Sequence, residues 1–411
     1  MAVLVAIVAS AVAMRLRRPA ALIAPAPSAS SAASIASTPA PPSSAGLGAP
    51  FASGSARVSE HAARMLHGDA HHTHRAHGHA PRQPRVAWTY QAGGAIEAQI
   101  VTSPDEQTLY VASLDGTLSA LDRSGTRRWS ASLGDRVYST PAVADDGTVY
   151  VGSDAQRFFA ILPDGHVKWR LETKGDCDTA PVLAKDGTVV VAAGRDVLSV
   201  RSGGDVAWRF TAKRKVFASP AIADDGTVVV ASQDNHVYAL GPHGALVWSL
   251  DVGSDVDGSP VILDDGTIAV GTDAGDVVLI SAAGTLLSRR ALGGFVRGPL
   301  SAARNGDVLA GVYGPSPREA RLGADGRSVG AFAVPGPGSR EFGVHGGALE
   351  DDDGALVFGA QDDAVYVVDA TGELRWRFVT GGDVDAPATL LTDGSLVVGS
   401  DDGKVYLFAG P

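Results

Sequence analysis

From Val86 onward, short apolar runs rich in Val, Ala and Leu alternate with polar turns, many of them built on Asp-Gly. The runs are too short for helices, and none has apolar residues recurring every three or four positions, so the pattern predicts strands. Alternation within the runs suits antiparallel hairpins, whose turns take Gly because it supplies a positive φ.

The same group of runs recurs along the chain. Its marker is "DEQTLYVAS" from 105, "DDGTVYVGS" from 145, "KDGTVVVAA" from 185, "DDGTVVVAS" from 224, "DDGTIAVGT" from 264, "RNGDVLAGV" from 304, "DDGALVFGA" from 352 and "TDGSLVVGS" from 392. The tryptophans keep the same register: Trp88, Trp129, Trp169, Trp208 and Trp248 lie 39 to 41 residues apart, and Trp376 is the sixth and last. Ser288 and Gly330 hold the Trp position where it is lost. Each unit reads as four strands, and four strands in a period near 40 residues predict a β-propeller blade.

The last unit stops after its third strand, at "KVYLFAGP", while the repeat region begins with an orphan Trp strand at residues 85–90. The predicted fold is therefore all-β: an eight-bladed propeller of four-stranded antiparallel blades over 85–411, closed by strand 85–90 joining the last blade. The alternative is a seven-bladed ring with one misfit unit.

The segments "ALDRSGTRRW" (120–129) and "VVDATGELRW" (367–376), followed by Ser-x-Pro and "DGTVYVGS", resemble the repeats of pyrroloquinoline-quinone-like propellers. That family includes quinoprotein alcohol dehydrogenases and BamB-like subunits of the outer-membrane β-barrel assembly machinery. The dehydrogenase branch implies a vicinal cysteine pair and a Glu/Asn/Asp calcium site holding the quinone. This chain has one cysteine, Cys177, so pyrroloquinoline quinone is not expected and the scaffold branch is the better match.

The first ninety residues have a different composition. An apolar run over residues 2–13, followed by Arg15, Arg17 and Arg18, reads as a signal peptide or short membrane anchor at 1–14, although its basic residues follow the run instead of preceding it. Residues 15–84 read as a disordered linker, first Ala/Ser/Pro-rich and then His-rich. Seven of the eleven histidines fall within nineteen residues, including His61, His67, His71, His72, His74, His77 and His79. Neutral imidazoles at this density could chelate a divalent metal; the alternative is a polar linker that becomes cationic at mildly acidic pH.

A net charge of −11 excludes a general nucleic-acid binder. Within the repeats, the segments "GDCDTAP", "GSDVDGSP" and "GGDVDAP" each carry two aspartates two residues apart, pointing to one side of an extended chain. The pairs Asp176/Asp178, Asp255/Asp257 and Asp383/Asp385 are predicted around one channel mouth, joined there by Arg297 and His345. They could attract a basic peptide or supply oxygen ligands to Ca²⁺; the alternative is that they cap local turns. The least regular stretch, 285–345, has eight arginines against four acids, and Arg318, Arg321, Arg327 and Arg340 are further candidates for partner binding.

No nucleophile–base pair, phosphate loop or closed metal set appears in the sequence. The expected function is a non-catalytic, extracytoplasmic, monomeric scaffold in the cell envelope that binds a protein or peptide and touches the membrane only through its N-terminal segment. The alternatives are a divalent-metal or enzymatic propeller using the acidic mouth, and a quinone-binding dehydrogenase relative.

Overall fold

The Asp-Gly turns close as hairpins with a recurring hydrogen-bond pattern. In the second repeat Gly147 N–H donates to Ala144 O at 2.9 Å and Ala144 N–H to Thr148 O at 2.9 Å, with Gly147 at φ +79°. The Asp before each glycine caps its turn: Asp146, Asp186, Asp225 and Asp265 each accept the backbone N–H two residues on, at 2.8 to 2.9 Å. A β-branched residue at the glycine would meet the steric penalty of positive φ.

The computed structural model describes residues 62–336 and 342–410. In them, strands form eight four-stranded antiparallel sheets. The first runs outward as β2 (Val101–Thr102), β3 (Thr108–Ser113), β4 (Thr117–Asp122) and β5 (Arg127–Ser132). The second and third strands of each blade are buried almost throughout, whereas the fourth alternates, as in β5 with its exposed-exposed-half-buried pattern. Neighbouring blades cover both faces of the middle strands, which explains why those runs are continuously apolar.

The eighth sheet is β30 (Thr389–Leu390), β31 (Leu396–Gly399), β32 (Lys404–Ala409) and then β1 (Arg85–Gln91), so the orphan strand closes an eight-bladed ring. β1 pairs antiparallel with β32 from Arg85↔Ala409 to Gln91↔Lys404. No edge is left between the first and last units.

Adjacent blades are stitched at two radii. Near the axis, Ala180 N–H donates to Ser219 Oγ and Ser219 N–H to Ser259 Oγ, both at 2.9 Å, which is the physical content of the Ser-Pro signal. At the rim each tryptophan donates its indole N–H to a carbonyl of the following blade: Trp129 to Pro163, Trp169 to Ser202, Trp208 to Pro242 and Trp248 to Ala282, at 2.8 to 2.9 Å. The turn glycine of that blade lies against the ring, and a Cβ on Gly284 would fall 2.6 Å from Trp248.

The sequence predicts disorder over 15–84, and this fails for residues 62–84. Residues 62–80 form a strap around the axis at one end of the ring. Inner-strand N–H groups of six blades donate to it: Thr102 to Ala63 O, Val143 to Arg64 O, Ile222 to Ala70 O, Ile262 to His71 O, Ala302 to Thr73 O and Glu350 to His74 O, at 2.7 to 3.0 Å. Composition misses this because the strap is held by its main chain and by few apolar side chains, among them Met65 and Ala80, which join two blade cores. Residues 15–61, and the signal or anchor expected at 1–14, lie outside the described residues.

Candidate functional site

The loops entering the inner strands and the turns between second and third strands share one face of the ring, here the mouth face. The strap and the Asp-Gly turns occupy the other. A buried small residue marks each entry loop: Cys177, Val256 and Val384 are all fully buried at equivalent positions. Cys177 is thus a core side chain; burial pushes its thiol above the usual range, and Sγ lies 3.8 Å from Ala192 O.

The residue after that buried position faces a turn of the preceding blade. Asp257 accepts from Gln233 Nε2 at 3.0 Å, Asp385 from Gln361 Nε2 at 3.2 Å, and Asp273 accepts both Nε and Nη2 of Arg297 at 3.0 and 3.1 Å. His345 Nδ1 contacts the Tyr313 hydroxyl, and Asp178 sits against Asp154. Gln233, Asp273, Tyr313, Gln361 and Asp154 each stand directly after the second-strand marker of their repeat. Sequence reasoning missed them, although alignment of the repeats on "DGTVYVGS" exposes the position.

The first acids of the Asp-x-Asp segments lie further out, and two meet cations: Asp176 with Lys215 at 3.3 Å and Asp255 with Arg214 at 3.4 Å. The expected acidic rim is therefore a mixed-charge ring in which most of the acids have cross-blade partners. Burial, and then the neighbouring Asp154, pushes the Asp178 carboxyl up to about 8. Burial with Asp273 raises Asp257 to about 6.

One group retains cation-binding geometry: ligand oxygens of Asp383, Asp385 and Asp401 lie within 4.8 Å of one another. Asp385 Oδ1 is buried without a hydrogen-bond partner.

The arginine candidates do not form one surface. Arg297 and His345 belong to the mouth, and Arg318 opens the third strand of its blade, β24 (Arg318–Leu322), on the same face. Arg321 binds Asp307 through Nε at 2.6 Å near the opposite end of that strand, and Arg327 lies in the turn beyond, 3.3 Å from Asp325. A strand crosses the whole blade, so its two ends serve opposite faces. Arg340 lies outside the described residues.

The histidines are likewise dispersed. His67, His72 and His74 are buried on the strap, each with positive φ, a region in which His is enriched among non-glycine residues. His67 Nδ1 lies 3.1 Å from His72 O and His72 Nδ1 3.0 Å from Pro260 O. His74 has Nδ1 and Nε2 each 2.9 Å from a carbonyl, those of Gly347 and Ala388. The His67 and His74 rings stack in parallel at 4.1 Å. Burial holds His67 and His72 well below the usual imidazole range and His74 down to about 4. His71, His77 and His79 instead approach Asp224, Asp352 and Asp353 at 3.8, 3.8 and 3.4 Å. His79, Asp351 and Asp353 also converge, but Asp351 already accepts the N–H groups of Ala80, Asp353 and Ala355. The five metal candidates of this stretch therefore do not form one chelating set.

Solved structures share the ring. BamB from Moraxella catarrhalis superposes with TM-score 0.64 at 16% identity, over 79% of this chain and 99% of that one. Quinohemoprotein alcohol dehydrogenase from Comamonas testosteroni gives 0.71 at 15%, over 87% and 82% of the two chains. A europium-containing methanol dehydrogenase gives 0.69 at 12%, over 86% and 99%. No curated protein sequence matches significantly. At these identities the superpositions establish fold alone.

The sequence itself matches the family described as outer membrane protein assembly factor BamB over residues 74–183, 162–242 and 233–406. With its quinone-type repeats closed into eight blades, the chain belongs to that family.

Proposed function

We propose that this protein is a non-catalytic, extracytoplasmic scaffold that binds a protein or peptide partner during cell-envelope assembly, acting as a monomeric propeller. The observation that carries the reading is the family match, which runs through nearly the whole ring. The mixed-charge mouth supports it. Exposed Arg214 and Lys215 stand beside Asp255 and Asp176, and charge mosaics of this kind give orientation and specificity to a docking partner. A quinone enzyme is disfavoured by Cys177, which is single and fully buried where the dehydrogenase branch implies a vicinal cysteine pair.

A divalent-metal propeller is the second reading, and the convergence of Asp383, Asp385 and Asp401 favours it. One set of measurements separates the two. In cross-linking capture from a cell-envelope extract, a defined partner should be retained by the native protein and lost from the double variant Arg214→Glu/Lys215→Glu. Equal retention by both would count against the mouth as the docking face. Added Ca²⁺ should leave the melting temperature unchanged, and a rise that disappears in Asp385→Asn would favour the metal reading.

A further inference from the structure

The strap takes an N–H from the inner strand of six blades and, among the described residues, none from the third and the eighth; the eighth lies between the blades that the strap's two ends serve, whereas the third is skipped within its course. Between Arg64, which serves the second blade, and Ala70, which serves the fourth, the chain folds inward. Gly68 N–H returns to Met65 O at 2.9 Å, and His67 N–H reaches Gln99 Oε1 at 2.7 Å. The third blade's inner strand is β10 (Val182–Leu183), and Leu183 is its counterpart of Thr102, Val143 and Ile222. Among the described residues, no strap carbonyl accepts from Leu183.

A cavity of about 470 Å³ opens at that gap, within the range of roughly 300 to 1,000 Å³ that small ligand sites occupy. Its floor is apolar, from Leu183, Val190, Ile222 and the tryptophan ring of Trp208. Its rim is acidic. Asp186 and Asp225 are exposed there and held below the usual carboxylate range by hydrogen bonds from Thr188 and Thr227, while Lys185 is already paired with Asp224 at 2.8 Å.

The strap itself shows which chemistry this face accepts. Its carbonyls take inner-strand N–H groups, and its basic side chains meet acids of the Asp-Gly turns: Arg64 pairs with Asp145, and Arg75 with Asp264 at 2.8 Å. In the third blade no strap carbonyl covers Leu183, Lys185 stands where the other turns carry Asp145 and Asp264, and the acids left to the rim are the turn-capping Asp186 and Asp225, with Asp69, Ala70 and His71 of the strap forming the cavity's edge. We propose that this gap is a binding site for an extended, basic segment of a partner protein. The segment adds a main-chain bond at Leu183 and places an apolar side chain beside Trp208, with cationic side chains on Asp186 and Asp225. Strand addition of this kind draws affinity from main-chain bonds and specificity from the pocket.

The site deepens the scaffold reading, which it presupposes, yet lies on the face opposite the mouth. The probe is a fluorescein-labelled hexapeptide alternating arginine and leucine, followed by anisotropy on the full chain, with an alternating glutamate–leucine peptide as control. The arginine peptide should bind and the glutamate peptide should not. Ala184→Trp, which fills the cavity, should weaken binding by about tenfold or more. Asp186→Asn/Asp225→Asn keeps the turn caps, because the amide oxygen still accepts the same N–H, and should weaken binding by about two- to fivefold. The mouth variant Arg214→Glu/Lys215→Glu should bind the peptide normally, so loss of partner capture at the mouth and loss of this site can be told apart.

The proposal is overturned by the absence of arginine-peptide binding up to about 1 mM, by equal binding of both peptides, or by unchanged binding in the cavity and rim variants. The asparagine variant and its melting temperature keep the test decisive if Ala184→Trp does not fold.

Discussion

At the scale of single residues, the tryptophan register explains why glycine recurs at the last turn of each blade. Gly284 has φ +82° and would place a Cβ 2.6 Å from the Trp248 ring, whereas Gly372 has φ +87° with nothing within 4 Å, because Gly330 stands where the ring would be. Replacing Gly372 by Ala should therefore cost only the left-handed backbone penalty, about 1 kcal/mol. Gly284→Ala adds a clash with a packed indole and should cost about 1 to 3 kcal/mol more. Midpoints of urea unfolding for the two variants check this, and equal shifts would show that the ring contact carries no weight. The recurrence of Trp and Gly was legible from the sequence because both partners are side-chain identities that keep their register, with Trp in six of the eight units and Ser288 and Gly330 in the other two. The mouth pairs were only half legible: Asp385 and Arg297 stand out as charges, but Gln361 and Tyr313 become informative only once the blades are superposed.

At the scale of elements, the strap is the feature the sequence concealed. Main-chain bonds such as Ile222 N–H to Ala70 O leave no side-chain signature, and the histidines that stand out serve as buried neutral groups. Their burial has a direction in pH. His67, His72 and His74 each titrate lower when docked than when free, so the contribution to docking is complete above about pH 6.5 and falls as acid protonates the free strap first. For His74, held down to about 4, the loss between those limits is at most about 3 kcal/mol. Its two flanking carbonyls, which an imidazolium could bond together, work against the loss. Asp69 also faces this cluster, and Asp224, Asp352 and Asp353 face the outer histidines. His71, His77 and His79 lie beside those carboxylates at the exposed edge of the strap, where solvent screens ion pairs. The buried set therefore dominates. Hydrogen exchange of residues 62–80 should accelerate between pH 7 and pH 5 relative to the blades after correction for intrinsic rates, and His72→Gln should flatten that dependence. Constant relative protection across the range would rule out the linkage.

At the scale of the whole molecule, the ring has two seams formed by the same stretch of chain, and they are separable. β1 supplies the outer strand of the last blade, and Pro81 O accepts the Trp376 indole at 2.6 Å, taking the place of the turn carbonyl that every other tryptophan finds in the following blade. The strap adds a second closure at the axis, bonded to blades on both sides of the seam. A protein beginning at Arg85 keeps β1 but loses the strap and Pro81; it should remain an eight-bladed monomer with a lower melting temperature. One beginning at Ala92 also loses the pairing of β1 with β32, which runs from Arg85↔Ala409 to Gln91↔Lys404. This exposes the unpaired edge of β32, together with Trp376 and the apolar flank of the eighth blade. An open, regular strand edge recruits another strand, so this second protein should self-associate where the first does not. Light scattering after size exclusion distinguishes them. If the protein beginning at Ala92 stays monomeric and melts with the one beginning at Arg85, ring closure rests on packing between blades and not on the shared strand.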